Sequence, residues 1–289
     1  MKKTEPDLNL HKTHLLVVGG SGRVAGMLRR VWSAEPSGMV PVFQARREGV
    51  GADLIFDPLA DPGALAQAIE AVDVVLNLAG RAGGSGADLA AHAAIARAIL
   101  AARNGTKPVI AASSAAVYGR SEGAQPEAGP VDPPAAYGRA KLEMEAVLRD
   151  QPATCCLRIG NVAGADALLG QAESEAGRSL HVFVDGRAPR RSYIGPSDLA
   201  RAIARLVSLM AAGQPVPPVL NLALPGVVGM DDLLRAAGVA WNPAPAPSEA
   251  IENVELDVSR AIRLGLVPEA RARAERIVAD WRQVAGGRA

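Results

Sequence analysis

The chain has 289 residues, enough for one large domain or a domain carrying a smaller lobe. Hydrophobic residues make up 49% and charged residues 21%, so a substantial core is expected; the formal net charge of +1, with no long basic run, argues against nucleic acid or an anionic membrane as a partner. The two cysteines, Cys155 and Cys156, are adjacent within an apolar run, where strand neighbours point to opposite faces. They therefore read as packing residues rather than as a disulfide or metal site, which suits a reducing, cytoplasmic setting.

Lys2 and Lys3 are followed by no apolar stretch before Leu15, so the N-terminus does not read as a secretory signal, and no apolar run reaches membrane-span length. HLLVV (14–18) then reads as a buried strand and GRVAGMLRRVWSA as a helix with apolar residues near i, i+3 and i+4. VPVFQ and DLIFD are expected strands, ADPGALAQAIEA a helix, DVVLNLA a strand, GADLAAHAAIARAILAAR a helix, PVIAAS a strand, AAYGRAKLEMEAVLRD a helix and ATCCLRI a strand. Strand and helix in alternation imply crossover units and a parallel sheet, whose ligands gather at the carboxyl ends of the strands. The fold expected is a Rossmann-like, doubly wound α/β sheet with a small C-terminal substrate lobe.

After residue 160 the alternation weakens. A Gly-rich stretch runs from Asn161 to about Gly177, followed by LHVFVDG. SDLARAIARLVSLM reads as a helix capped by Ser197, PPVLNLAL as one more strand, WNPAPAPSEA as a Pro-rich loop, and the end as a helix from about Glu269. The division expected is a dinucleotide-binding part over 1–160, continued by about 196–225, and a substrate lobe from 161–195 and 226–289.

The turn GGSGRVAG joins the first strand to the first helix, with Gly19, Gly22 and Ala25 in the arrangement G-x-x-G-x-x-A. Glycine lets the backbone approach a pyrophosphate, and the helix start offers free N–H groups to the anion, which makes Gly19, Ser21, Gly22, Arg23 and Val24 candidate contacts. In QARREG, the end of the second strand itself places no acid to hold ribose hydroxyls and offers Arg46 and Arg47 instead, which suits the 2′-phosphate of NADP, with NAD as the alternative. Asp57 and Pro58 end the third strand, where Asp57 could accept from an adenine amino group, and Leu78 and Ala79 of NLAG would pass close to the cofactor.

Tyr137 and Lys141 stand one helical turn apart in YGRAK, a spacing that alone describes only a packed ring beside a charge. Ser114 leaves the preceding strand in VIAASSAAVYG, so all three would reach the same sheet edge. His92 and His181 read as ordinary helix and strand residues, Tyr118 and Tyr193 as packing or positioning residues, and no metal is expected.

Together GGSGRVA, the DP at 57–58, NLAG, SSAAVYG, YGRAK, LRIGNVAG, RSYIGPSDLA and NVELDVSRAIRLGL resemble an extended short-chain dehydrogenase/reductase of the NAD-dependent epimerase/dehydratase family. The resemblance implies Ser114, Tyr137 and Lys141 as the catalytic set, and Asn161 and Arg191 as contacts to substrate, often the pyrophosphate of a nucleotide sugar. Three features depart from the family. Ala25 replaces a glycine, LAAHAAIARAIL lacks the usual Asn and Gly-Thr pattern, and the segment between Asn161 and Arg191 is short for gripping a whole nucleotide sugar.

The chemistry implied is proton transfer by Tyr137 while hydride passes between a substrate carbon and nicotinamide. A charged Lys141 at ~4 Å would supply at most about 4 kcal/mol at an effective dielectric of ~20, enough to draw the phenol towards neutrality. Ser114 would fix the substrate oxygen. The leading expectation is an NAD(P)-dependent oxidoreductase or epimerase of a nucleotide sugar, working as a soluble enzyme and compatible with a homodimer. Two alternatives stand beside it: an NADPH-dependent reductase of a small non-nucleotide carbonyl compound, and a non-catalytic dinucleotide-binding or redox-sensing protein. The intact Ser-Tyr-Lys set argues against the last. Dehydration is the least favoured reaction, because Ala115 and not an acid follows Ser114.

Overall fold

A computed structural model describes residues 12–35, 37–48, 51–120, 123–170 and 178–286. The reading of the first eleven residues, Gly49 of the arginine loop and the end of the Gly-rich stretch lie outside the described residues. The elements in chain order are β1 (Thr13–Val18), α1 (Arg23–Ala34), β2 (Met39–Ala45), β3 (Leu54–Ile55), α2 (Pro62–Glu70), β4 (Val74–Asn77), α3 (Gly86–Ala102) and β5 (Val109–Ser114). Then follow β6 (Ala124–Gln125), α4 (Ala136–Leu148), β7 (Thr154–Ile159), β8 (Asn161–Val162), β9 (Arg178–Val182), β10 (Arg190–Arg191), β11 (Tyr193–Ile194) and α5 (Pro196–Ala211). The chain ends with β12 (Val219–Leu222), β13 (Val228–Gly229), α6 (Met230–Ala236), β14 (Trp241–Pro245), β15 (Asn253–Leu256), α7 (Ser259–Arg263) and α8 (Ala274–Gly286).

Seven strands form one parallel sheet in the order β12-β7-β5-β4-β1-β2-β3. Its strands are mostly apolar because both faces are covered, with buried polar exceptions such as Gln44, Asn77, Arg158 and Asn221. Alternate residues of β1 divide between two cores, Leu15 and Val17 on one side and Leu16 and Val18 on the other. Cys155 and Cys156 divide in the same way, both buried and both free thiols. Helices α1, α5 and α8 pack together over one face, where the Trp32 indole donates to the Ala200 carbonyl at 3.1 Å. Helices α2, α3 and α4 cover the other. Chain order reverses between β1 and β4, so the turns after these two strands diverge and open a crevice at their carboxyl ends.

Away from the main sheet, β13, β10, β15 and β6 make a four-stranded sheet, and β9 pairs in parallel with β14. Three expectations change here. WNPAPAPSEA is not all loop: Trp241–Pro245 is β14, in a two-stranded ribbon whose open edges tolerate prolines that have no N–H to donate. The final helix starts at Ala274 rather than near Glu269. Ser197 does not cap α5. The helix begins two residues earlier, with Gly195 at the cap and Pro196 in the first turn, and the Ser197 N–H donates to Asp280 of α8 at 3.1 Å. A side chain at Gly195 would collide with that carboxylate. No helix among the described residues is long and apolar enough to cross a membrane.

Candidate active site

The turn from β1 to α1 is shaped for close approach. Gly19 has φ +89°, and a Cβ there would lie 2.7 Å from the Ala79 backbone, so the turns after β1 and β4 touch. The Gly19 N–H donates to the buried Gln44 side chain at 3.1 Å, and Gln44 donates in turn to the Phe56 carbonyl at 2.5 Å. Gly22 caps α1 without any side-chain hydrogen bond, and the first turn of α1 carries no acid. Its first N–H groups are therefore available to an anion.

Two connected hollows flank this turn. One, of ≈ 360 Å³, is lined by Gly19, Ser21, Gln44, Arg46, Asp57 and Pro58 among others. The other, of ≈ 700 Å³, runs past Arg23 and Val24 to Ser114, Tyr137, Lys141 and Asn161. Gly22, Leu78, Gly80 and Arg81 belong to both, and Ala79 lines the smaller one. Such a two-part groove, ending in glycine turns that a Cβ would fill, fits an extended dinucleotide. Arg46 sits 3.9 Å from Asp57 at the mouth of the smaller hollow, and Asp57 also accepts the Leu59 N–H at 2.9 Å. Arg47 is exposed and outside both linings.

Ser114, Tyr137 and Lys141 meet on one wall of the larger hollow. Gly138 makes this possible: a Cβ there would come within 2.3 Å of the Ala116 carbonyl, so only glycine lets α4 press its first turn against the end of β5. Burial raises the Tyr137 phenol above its ordinary value, and a hydrogen bond with Ser114 opposes that. The Lys141 ammonium is 5.7 Å from the Tyr137 ring centroid and donates to the Ala112 carbonyl at 2.6 Å. Burial lowers Lys141 to about 8, against smaller raising effects from Cys156 and Glu145. This revises the expected electrostatics. The phenol is held in its protonated form rather than drawn towards neutrality, and the lysine itself is the group moved close to physiological pH.

Asn161 lines the larger hollow, but Arg191 is absent from its lining. The Arg191 guanidinium donates to the carbonyls of Arg190 at 2.8 Å, Glu252 at 3.0 Å and Ile251 at 2.7 Å. It fastens β10 to β15, and a phosphate would have to displace those bonds. The expectation that it faces the substrate is therefore not met in this arrangement.

Several polar residues at and below the site have partners that their motifs did not reveal. The Tyr193 hydroxyl donates to Asp166 at 2.6 Å, and Asp166 lines the larger hollow, its carboxyl raised by burial against the Tyr193 hydrogen bond. Below the site, Arg158 forms a bidentate pair with Glu145 at 3.0 and 2.7 Å, and Ser113 donates to the same carboxylate at 2.5 Å. Tyr118 accepts from Arg158 at 2.9 Å and donates to Asn221 at 2.7 Å. Tyr118, Arg158 and Tyr193 stand inside SSAAVYG, LRIGNVAG and RSYIGPSDLA, and Glu145 offered a further signal, a charge on the buried face of α4, one turn beyond Lys141 and two beyond Tyr137. Among the described residues there is no cluster of three metal-ligating side chains.

The sequence model of the NAD dependent epimerase/dehydratase family matches residues 15–223. The chain belongs to the NAD-dependent epimerase/dehydratase family. It is an enzyme-family member of the extended short-chain dehydrogenase/reductase type, with the matched segment running from β1 to just beyond β12. Solved structures with the same fold include the NAD-dependent NDP-hexosamine 5,6-dehydratase TunA of tunicamycin biosynthesis, at 20% identity and TM-score 0.75 over 96% of this chain and 99% of that one. A UDP-glucose-4-epimerase from Stenotrophomonas maltophila, with bound NAD and formylated UDP-arabinopyranose, is 21% identical with TM-score 0.77, covering 95% of this chain and 98% of that one. MoeE5 in complex with UDP-glucose and NAD is 21% identical with TM-score 0.74, over 94% of this chain and 98% of that one. At these identities the likeness is one of fold. No curated protein matches the chain.

Proposed function

We propose that this family member is an NAD(P)-dependent oxidoreductase or epimerase acting on a hydroxyl or carbonyl, with a nucleotide sugar as first-choice substrate. The observation that carries the reading is the convergence of Ser114, Tyr137 and Lys141 on one wall of the groove that starts at the glycine turn. When bound, the dinucleotide supplies hydride exchange at its nicotinamide. Ser114 orients the substrate oxygen, Tyr137 moves its proton, and Lys141 contributes positive charge beside the phenol. A phenol kept protonated by burial suits protonation of an alkoxide as it forms. The nucleotide-sugar choice draws support from the UDP-sugar ligands of the similar structures and from this chain spanning 98% of their length.

Arg46 at the adenosine end, with neutral Gln44 and no acid at the end of β2, supports NADP(H) over NAD(H). The small C-terminal lobe would hold the substrate, and a homodimer in the cytoplasm is the expected setting. A second reading, an NADPH-dependent reductase of a small non-nucleotide carbonyl, is favoured by the commitment of Arg191 to backbone carbonyls. Calorimetry with UDP, dTDP and GDP, on wild type and Arg191→Ala, separates the two. Tight binding of one nucleoside diphosphate supports the nucleotide sugar, and binding of none replaces it with the small-carbonyl reductase.

A further inference from the structure

We infer that His92 is a positioning residue for this site: its imidazole fastens the Gly80–Arg81 turn, which lines both hollows, to the ring of Tyr137. The inference rests on the dinucleotide-binding reading above. His92 lies in the middle of α3, in LAAHAAIARAIL, and is 1% exposed. Its Nε2 is 3.0 Å from the Arg81 carbonyl. A carbonyl only accepts, so Nε2 carries the proton and donates. Nδ1 is then a buried acceptor that no donor reaches.

Three contacts converge on this one ring. Its plane meets that of Tyr137 at 65°, with centroids 5.8 Å apart, an edge contact to the residue that moves the proton. Gly80 has φ +122°, and a Cβ on it would come within 2.0 Å of the ring, so the turn closes directly onto the imidazole. Arg81 is held through its carbonyl, which leaves its side chain at the groove. Burial, then the charge of Lys141, keep the imidazole below its ordinary value, against the Arg81 and Ala79 carbonyls, so it serves here as a neutral donor.

A leucine would fill much of the same space without stranding Nδ1. Filling space therefore does not account for a histidine, whereas holding the Arg81 carbonyl and the Tyr137 edge does. The two roles predict opposite rankings of variants. His92→Gln keeps an N–H near the place of Nε2 and gives up the ring; His92→Leu fills the volume and gives up the hydrogen bond.

The experiment is a fluorescence titration of NADPH and NADH into wild type, His92→Gln and His92→Leu, with thermal unfolding of each. Positioning predicts that His92→Leu melts no lower than wild type yet binds the preferred dinucleotide roughly five- to tenfold more weakly, the scale of one lost hydrogen bond. His92→Gln should stay within about twofold of wild type in binding, whatever its melting temperature. Equal binding by His92→Leu and wild type, or better binding by Leu than by Gln, overturns the inference while leaving the dinucleotide site in place. Wild type that binds neither dinucleotide overturns both.

Discussion

Glu145 and Arg158 face each other at 2.7 Å between α4 and β7, with side chains only 3% and 6% exposed. Burial alone would push the Arg158 guanidinium down, but the Glu145 hydrogen bonds and charge outweigh it and carry it above its ordinary value. Because Ser113 donates to the same carboxylate, this pair ties the α4 face bearing Tyr137 and Lys141 to the end of β5. Removing one partner strands a buried charge. Glu145→Gln should destabilise the protein by roughly 3–5 kcal/mol, and the double variant Glu145→Leu, Arg158→Met should recover a large part of that. Denaturant unfolding measures both; a loss under about 1 kcal/mol in the single variant would describe an exposed pair instead.

Tyr137→Phe should leave the melting temperature and dinucleotide affinity near wild type and lower turnover by roughly two or more decades, the scale of losing an acid/base group. Only the hydroxyl is removed, and the ring contact with His92 remains. Steady-state rates within a few-fold of wild type would take Tyr137 out of the proton transfer.

Lys141 is a stability cost with a pH signature. Its value of about 8 lies below the ordinary 10.5, so the unfolded chain binds the proton more tightly. The penalty is fully present below pH 8 and disappears as pH rises to the unfolded value; it is at most roughly 3 kcal/mol. Lys141→Met should therefore raise stability at pH 7, and its advantage should shrink between pH 8 and 10.5. Turnover of wild type should fall as pH passes 8, where the ammonium loses its proton. A variant less stable than wild type at pH 7 contradicts the desolvation argument, and a rate unchanged up to pH 10 contradicts the need for the charge.

Arg46 and Arg47 are adjacent in sequence but differ in position, since only Arg46 lines the smaller hollow. Arg46→Ala should weaken NADP(H) by roughly 1.5–3 kcal/mol and leave NAD(H) nearly unchanged, while Arg47→Ala should alter neither. Parallel titrations of both cofactors decide it: equal wild-type affinities, or an unchanged ratio in Arg46→Ala, would reduce the arginines to surface charge.

The seven-stranded parallel sheet and its glycine turn were legible in the sequence because they rest on short-range rules, and the family was legible only through the resemblance of its motifs taken together. Apolar runs of strand length alternate with helical periods, and glycines must stand where backbone approaches backbone, as Gly19 does at Ala79. Tyr137 and Lys141 share a helix face by spacing alone. What spacing could not decide was the environment of those groups. A charge's pKa depends on burial and on neighbours distant in the chain, so the lowered Lys141 and raised Tyr137 emerged only in three dimensions. The same holds for Arg191, whose guanidinium is claimed by carbonyls some sixty residues away. It holds for Ser197, whose N–H is met by Asp280 from the last helix. Glu145 with Arg158, and His92 with Arg81, likewise join through the packing of separate elements. Hydrogen bonds between such elements leave no periodic mark in a single sequence, so the tertiary structure alone decided which polar side chains line the groove and which join one element to another.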